Sequence, residues 1–292
     1  MRTTVLCMAV AAVAVVGLSC KTRTSHGGPE PGRASTTQRV ETPFRIIATD
    51  SGFIAPSNIL AGLRHIIFEN RGTQIHEAML VKLPQGMTPA DYVAAVKTGD
   101  LFPRGALDYS GPGLTSPGES TELWVPVDPG RYILICWNNG HAKSAPVHPF
   151  TVQDLRADDA APKEDLVIRL VDYRFELGGS LKSGVRTIRV ETPGPSMHEA
   201  DLFRLLAGRT AEDVRLWRKS NSGAAPAQAL GGILDSHDIA RVVWLRRLFS
   251  PGRYALHCAM SMTPSASTTP TELTHADLGM VRELDVNPSK HN

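Results

Sequence analysis

The chain has 292 residues, of which 42% are hydrophobic and 21% are charged, so it is long enough for two ordinary domains and too evenly mixed for a disordered chain. Its 31 basic and 29 acidic residues give a net charge of +2 without a long block of either sign. The chain therefore lacks the basic charge excess that is typical of nucleic-acid-binding proteins, and such a function is disfavoured. The 25 glycines and 21 prolines favour short strands joined by many turns.

The N-terminal segment has the pattern of an export signal. Arg2 precedes an apolar run over residues 5–17, and small residues follow before Cys20, which predicts a signal peptide over residues 1–19. Thirteen residues rise only about 20 Å as a helix, less than a bilayer core of roughly 30 Å, so a permanent span is disfavoured.

Residues 16–20, VGLSC, resemble a bacterial lipoprotein signal. The resemblance implies that Cys20 carries a lipid that anchors an extracytoplasmic, periplasmic or cell-surface protein to a membrane. Ordinary cleavage and release is the alternative. Residues 20–41 are rich in Thr, Ser, Gly and Pro, and we expect them to form a flexible tether.

The rest of the chain matches itself. A shift of 122 residues aligns it without a gap from Ile46/Ile168 to Cys136/Cys258, and the matches include His76/His198. The match predicts a duplicated domain. We expect a first domain over residues 42–153, a linker over 154–163, a second domain over 164–287 and a tail over 288–292.

The elements of the two repeats follow the same order. Segments rich in β-branched and apolar residues predict strands; they cover residues 44–49, 65–69, 165–171 and 187–191. Thr88 and Thr210 each precede an acidic residue by three positions and an apolar periodicity, so each predicts the start of a short helix.

Pro-Gly turns at positions 129 and 251 begin strands that end at Cys136 and Cys258, as such turns commonly do. The last strands are predicted near residues 149–152 and 282–286. The order of these signals predicts that each repeat is a small antiparallel β-sandwich with one short helix. The fold class of the whole chain is therefore predicted to be all-β.

Two cysteines remain in the folded part once Cys7 leaves with the signal and Cys20 is lipidated. In an exported protein, Cys136 and Cys258 suggest a disulfide first, with metal ligation or free thiols as competitors. Because the two residues occupy equivalent places, a disulfide would require these places to face each other across an interface. Metal ligation and free thiols therefore remain as the two interpretations.

The second repeat holds a soft set of donors. Cys258 is followed by His275 and Met280, and His198 lies upstream. Two imidazoles, one thiolate and one thioether suit copper. The first repeat has His76, Cys136 and His141, while Pro146 stands where the second has Met280. This first site is therefore either a three-coordinate copper site or a decayed one.

The sequence YALHC at 254–258, a later His with Met five residues on, and an upstream strand-turn-His segment resemble the cupredoxins, the blue copper proteins related to plastocyanin and azurin. The resemblance implies two tandem Greek-key β-sandwiches and a type 1 copper site in the second. It also implies single-electron transfer with a redox protein partner, and no transformed substrate. Sixteen residues separate Cys258 from His275, more than this family usually has.

Two other functions stay open. Met197, Met260 and Met262 would serve a copper-storage lipoprotein, and His257 would serve an enzyme similar to copper nitrite reductases. In an extended strand His257 faces away from Cys258, and we expect it to be a surface histidine. Glu77 and Glu199 are expected to be exposed or to support the ligands from outside; His65, His148 and His237 have no assigned role.

Overall fold

The computed structural model describes residues 42–144, 146–234, 241–262 and 273–288. The predicted signal peptide, the tether with Cys20, and His237 lie outside these residues. None of the helices within these ranges is long and apolar enough to cross a membrane.

Sixteen strands and three α-helices are formed by the described residues. The strands are β1 Phe44–Thr49, β2 Gly52–Ile54, β3 Asn58–Asn70, β4 Met79–Leu83, β5 Leu107–Asp108, β6 Ser120–Val127, β7 Gly130–Ile135, β8 His148–Arg156, β9 Leu166–Val171, β10 Arg174–Leu177, β11 Gly184–Glu191, β12 Ala200–Leu205, β13 Ala227–Ile233, β14 Val242–Phe249, β15 Gly252–His257 and β16 Val281–Val286. The helices are α1 Pro89–Lys97, α2 His141–Ser144 and α3 Ala211–Ser220.

The first repeat folds into two layers that share the long strand β3. The C-terminal part of β3 pairs with β6 and β1, and its N-terminal part pairs with β8, which continues through β7 and β4 to β5. Gly62 lies where β3 passes from one layer to the other, and its φ of +113° is a conformation that favours glycine.

The second repeat also has two layers, but these belong to separate sheets and share no strand among the described residues. Strands β10, β9, β11 and β14 form one layer, while β13, β12, β15 and β16 form the other. Alternate residues of the layers point inward and form one apolar core that includes Phe68, Leu123, Leu245 and Cys258. Buried residues therefore alternate with more exposed ones along strands such as β1.

The repeats meet through strand pairing. Strand β6 of the first pairs antiparallel with β14 of the second, with Leu123 opposite Leu245. One sheet therefore runs through both repeats. Arg247 of β14 donates to the backbone oxygen of Ser120 and pairs with Glu119, so charged contacts accompany the pairing.

The two longer helices begin as predicted. The side chains of Thr88 and Thr210 each accept a hydrogen bond from the backbone N–H three residues on, and Asp91 and Asp213 return the contact. Such a capping box satisfies N–H groups that a helix start leaves unpaired. Helices α1 and α3 lie over the faces of β4 and β12 that point away from the main core.

The expected all-β class is confirmed, with small differences in its elements. The first repeat has an additional helix, α2, which contradicts the expectation of one helix per repeat. Strand β3 is longer than the predicted 65–69, because Gly62 bends the strand without ending it. Strand β8 extends to Arg156, three residues into the segment predicted as a linker.

Candidate metal centres

The second repeat brings a buried thiol and two imidazoles together. Cys258 follows β15, His198 lies just before β12, and His275 precedes a short 3-10 turn. The Cys258 Sγ lies 3.5 Å from the His275 Nδ1, and the two Nδ1 atoms of His198 and His275 lie 3.0 Å apart. All three residues are buried, and one ligand atom of each lies within 4.8 Å of the others.

Met280 is held next to this group by its backbone. Its N–H donates to the carbonyl oxygen of His275 at 2.9 Å, and its own carbonyl accepts from the N–H of Cys258 at 3.1 Å. The Met280 side chain is fully buried and belongs to the same core cluster as Cys258. All four predicted donors of the second repeat therefore come from neighbouring backbone segments.

The first repeat forms a similar group. The Cys136 Sγ lies 3.8 Å from the Nδ1 of His76 and 3.4 Å from the Nδ1 of His141. His141 begins α2 and is only partly buried. A small cavity is lined by these three residues and by Pro146, which is the residue that replaces the thioether.

The separations fit a single ion. Metal–nitrogen bonds of about 2.0 Å and metal–sulfur bonds of about 2.3 Å place neighbouring ligand atoms about 3.3–3.7 Å apart in trigonal or tetrahedral geometry. Four donor pairs lie 3.0–3.8 Å apart, close to this range, and all pairs lie within 4.8 Å. Both cysteines are free thiols, so neither is used in a disulfide.

The surroundings favour the neutral forms of both thiols and of His275 before a cation binds. Burial, followed by the charge of Glu77, raises the pKa of the Cys136 thiol to about 12, and burial also raises that of Cys258. Burial lowers the pKa of His275 to about 4, with His198 adding to the effect. Neutral imidazoles offer free lone pairs, and a bound cation displaces the thiol proton.

Two aspartates contact the candidate ligands from behind. The Nε2 of His76 lies 3.1 Å from Asp50 Oδ1, and the Nε2 of His198 lies 3.0 Å from Asp172 Oδ1. Hydrogen bonding to His198 is the largest cause that lowers the pKa of Asp172. The sequence pairs these aspartates at the shift of 122 but gives them no role. The recurrence of an aspartate at both positions is the sequence signal that could have identified these two residues.

Two roles were open for Glu77 and Glu199, exposure to solvent or support of the ligands from outside. The structure shows the second. Glu77 Oε1 accepts from the N–H of Trp137 at 2.9 Å, and Glu199 Oε1 accepts from that of Ala259 at 2.6 Å. Each glutamate thus fixes the residue after a candidate cysteine ligand. Both are buried, and burial raises the pKa of Glu77 to about 7, with the charge of Glu199 adding to it.

The expectation of a surface position for His257 is wrong. Its side chain faces away from Cys258 as predicted, but α3 covers that face, and only 2% of the residue is exposed. Its neighbour across the strands, Asp201, is equally buried. The His257 Nδ1 and one Asp201 oxygen have no hydrogen-bond partner among the described residues.

The remaining candidates are dispersed. Met260 is partly buried against the core, whereas Met262 is 39% exposed and Met197 is half-buried. His65 lies 2.6 Å from Glu122 and stacks on Trp124. These contacts give His65 a structural place at the junction of the repeats.

No family model and no curated protein matches the chain. Among solved structures, it is similar to a dithionite-reduced auracyanin from Roseiflexus castenholzii (18% identity, 39% of this chain and 98% of that chain, TM-score 0.29). It is also similar to auracyanin A, a blue copper protein from Chloroflexus aurantiacus (20%, 38% and 100%, TM-score 0.28). A multicopper oxidase matches more of the chain (14%, 84% and 88%, TM-score 0.26). These likenesses are distant, so the evidence for the metal is the set of donor atoms in this chain.

Proposed function

We propose that the second repeat holds one copper ion through His198, Cys258, His275 and Met280 and that the protein passes single electrons. The observation that carries the proposal is the buried Cys258 thiol beside two imidazole Nδ1 atoms that lie 3.0 Å apart. When bound, copper would supply a one-electron redox centre.

The donor set favours copper over zinc. Structural zinc sites take four tight ligands from Cys and His, whereas two His, one Cys and a weak thioether are typical of blue copper sites. Met280 supplies that thioether at a fully buried position. Its backbone bonds to both His275 and Cys258 support a fixed place for its side chain.

Burial supports electron transfer rather than catalysis. His198, Cys258 and His275 are at most 5% exposed, which leaves little access for a substrate. Donor atoms that are already close together need little movement when the charge of the ion changes, and the residues that hydrogen-bond the ligands keep them oriented. The protein would therefore exchange electrons with a redox protein partner.

The first repeat is proposed as a second copper site without a thioether. His76, Cys136 and His141 supply the same three donor types at similar distances. His141 is more accessible than its counterpart His275. Its Nε2 lies 3.2 Å from Gln74 Oε1, which orients the ring.

An extracytoplasmic location completes the proposal. The export pattern before Cys20 and the tether composition of residues 20–41 support lipid anchoring at Cys20. The anchor would hold the two repeats near a membrane surface, where a redox partner could reach them.

The test is a visible spectrum of residues 21–292 loaded with Cu(II), together with the copper-to-protein ratio. We expect an intense thiolate-to-copper band, and Cys258→Ser should abolish the contribution of the second repeat, because the thiolate is the light-absorbing donor. Cys136→Ser should remove whatever the first repeat contributes. Absence of this band from all three proteins, the wild type and the two variants, would refute the electron-transfer proposal.

A further inference from the structure

Each repeat places an aspartate directly after its first strand. Asp50 follows β1 and Asp172 follows β9, and the carboxylates reach the Nε2 of His76 and His198 at 3.1 and 3.0 Å. The same contact therefore recurs at both candidate sites, at positions related by the shift of 122 residues.

The same two imidazoles turn their other nitrogen toward the candidate ion. The Nδ1 of His76 faces the Cys136 sulfur, and the Nδ1 of His198 faces the Nδ1 of His275. A carboxylate is only an acceptor, so the Nε2 beside it carries the proton of a neutral ring. The lone pair of Nδ1 is then free for a metal.

Neighbouring backbone groups fix the first aspartate. Asp50 accepts from the N–H of Thr73 and of Gln74, and from the Thr73 hydroxyl. The carboxylate therefore has a defined orientation before any ion binds. A fixed anion behind an imidazole makes the ring a stronger electron donor, and partners of this kind affect metal affinity by about 10- to 100-fold.

We propose that Asp50 and Asp172 are positioning residues that select the Nδ1-binding form of His76 and His198 and favour Cu(II) over Cu(I) at both sites. The inference rests on the proposed copper function. A nearby negative charge stabilises the doubly charged ion more than the singly charged one, since the Coulomb energy scales with the charge. Removing the charge should therefore raise the reduction potential.

The test uses the Cys136→Ser protein, in which only the second site would remain. Asp172→Asn keeps the shape of the side chain and removes its charge. We expect the Cu(II) affinity to fall about 10-fold relative to the Cu(I) affinity, which corresponds to a potential about 59 mV higher. Competition titrations with Cu(II) and Cu(I) chelators and direct voltammetry measure both quantities.

Asp165→Asn is the matched control. The Asp165 side chain is 45% exposed, as is that of Asp172, but Asp165 lies at the opposite end of β9, roughly 20 Å away. The control removes the same charge and should leave the potential unchanged. Equal losses of Cu(I) and Cu(II) affinity in Asp172→Asn would overturn the proposed bias toward Cu(II).

A second measurement separates this inference from the copper proposal. Nitrogen-15 NMR of the metal-free protein at a fixed pH reports which nitrogen of His198 carries the proton. We expect the Nε2–H form, with a loss of this preference in Asp172→Ala, which has no acceptor oxygen in its side chain. An unchanged tautomer would overturn the positioning role. If the Cys136→Ser parent does not bind copper, the proposed function and the bias toward Cu(II) are refuted. The NMR measurement on the metal-free protein would still decide whether Asp172 orients His198.

Discussion

Gly72 lies against both partners of the hydrogen bond between Asp50 and His76. A β-carbon at this position would overlap Asp50 Oδ1 and lie 2.9 Å from the His76 Nε2. At the matching Gly194, the nearest atom of this kind is Asp172 Oδ1 at 3.5 Å, an ordinary contact. We expect Gly72→Ala to weaken copper binding in the first repeat at least about 10-fold, as measured by chelator competition in Cys258→Ser.

Gly194→Ala in Cys136→Ser is the matched control, and it should leave the copper affinity of the second repeat nearly unchanged. Equal effects of the two alanines would show that close packing behind the histidine does not hold the first site.

At the scale of single residues, the sequence predicted which donors assemble. Residue type and the repeat were enough for His198 and Cys258, and the later His-Met spacing indicated His275. The recurrence of Asp50 and Asp172 at the shift of 122 marked the two positions, but their contacts with His76 and His198 could not be predicted. They depend on how close the turn after a strand comes to a histidine 26 residues further along the chain.

At the scale of elements, the residues beneath the long helix of each repeat differ, although α1 and α3 occupy matching places. In the first repeat, Val96 of α1 belongs to one apolar cluster with Met79 and Ile135. The residues at the shift of 122 are Asp201, Arg218 and His257. At these three positions the second repeat has polar side chains where the first has apolar ones, and buried polar atoms without partners destabilise a fold.

His257→Ile, which copies Ile135 of the first repeat, should change the pH dependence of stability. Burial lowers the pKa of His257 to about 3, against an ordinary value of about 6.5. The ring is therefore neutral in both the folded and the unfolded chain above pH 6.5, and the fold loses stability as the pH falls from 6.5 toward 3, because only the unfolded chain takes up the proton. The unfolding free energy of the variant should rise relative to the wild type by up to about 1.4 kcal/mol per pH unit below 6.5.

Urea unfolding of the metal-free proteins at pH 7, 6 and 5 measures this difference. Ile135→Val is the control, because it should cost about 1 kcal/mol at every pH. A difference between His257→Ile and the wild type that stays constant with pH would contradict the assigned burial of a neutral histidine.

The same face shows a limit of strand alternation. Alternation correctly placed His257 opposite Cys258, but it does not state what covers that side. Helix α3 was predicted from its capping box and periodicity, whereas its packing on β15 is a tertiary contact. The expectation of a surface histidine was therefore wrong for a reason that no local pattern contains.

At the scale of the whole molecule, the shared sheet makes the repeats one cooperative unit. Strand β6 is hydrogen-bonded to β14, Arg246 pairs with Glu122, and Arg247 pairs with Glu119. We expect one calorimetric unfolding transition, with equal calorimetric and van't Hoff enthalpies. Copper bound only to the second repeat of Cys136→Ser should shift this whole transition upward.

Two separate transitions, only one of which moves with copper, would contradict this cooperativity. Cys136→Ser/Cys258→Ser is the control, because its transition should not respond to copper. The shared sheet could not be predicted from the sequence. Which strands of two similar repeats pair, and in which register, depends on contacts between positions more than 100 residues apart.

Strands β6 and β14 also protect each other. In either repeat alone, each of these eight-residue strands would be an open sheet edge. The unpaired N–H and C=O groups of such an edge can form hydrogen bonds with strands of other chains, which leads to aggregation. Their mutual pairing removes two aggregation-prone edges at once. If a protease cut the segment between β8 and β9, the two fragments would stay bound as a complementing pair, each with its own candidate metal ligands.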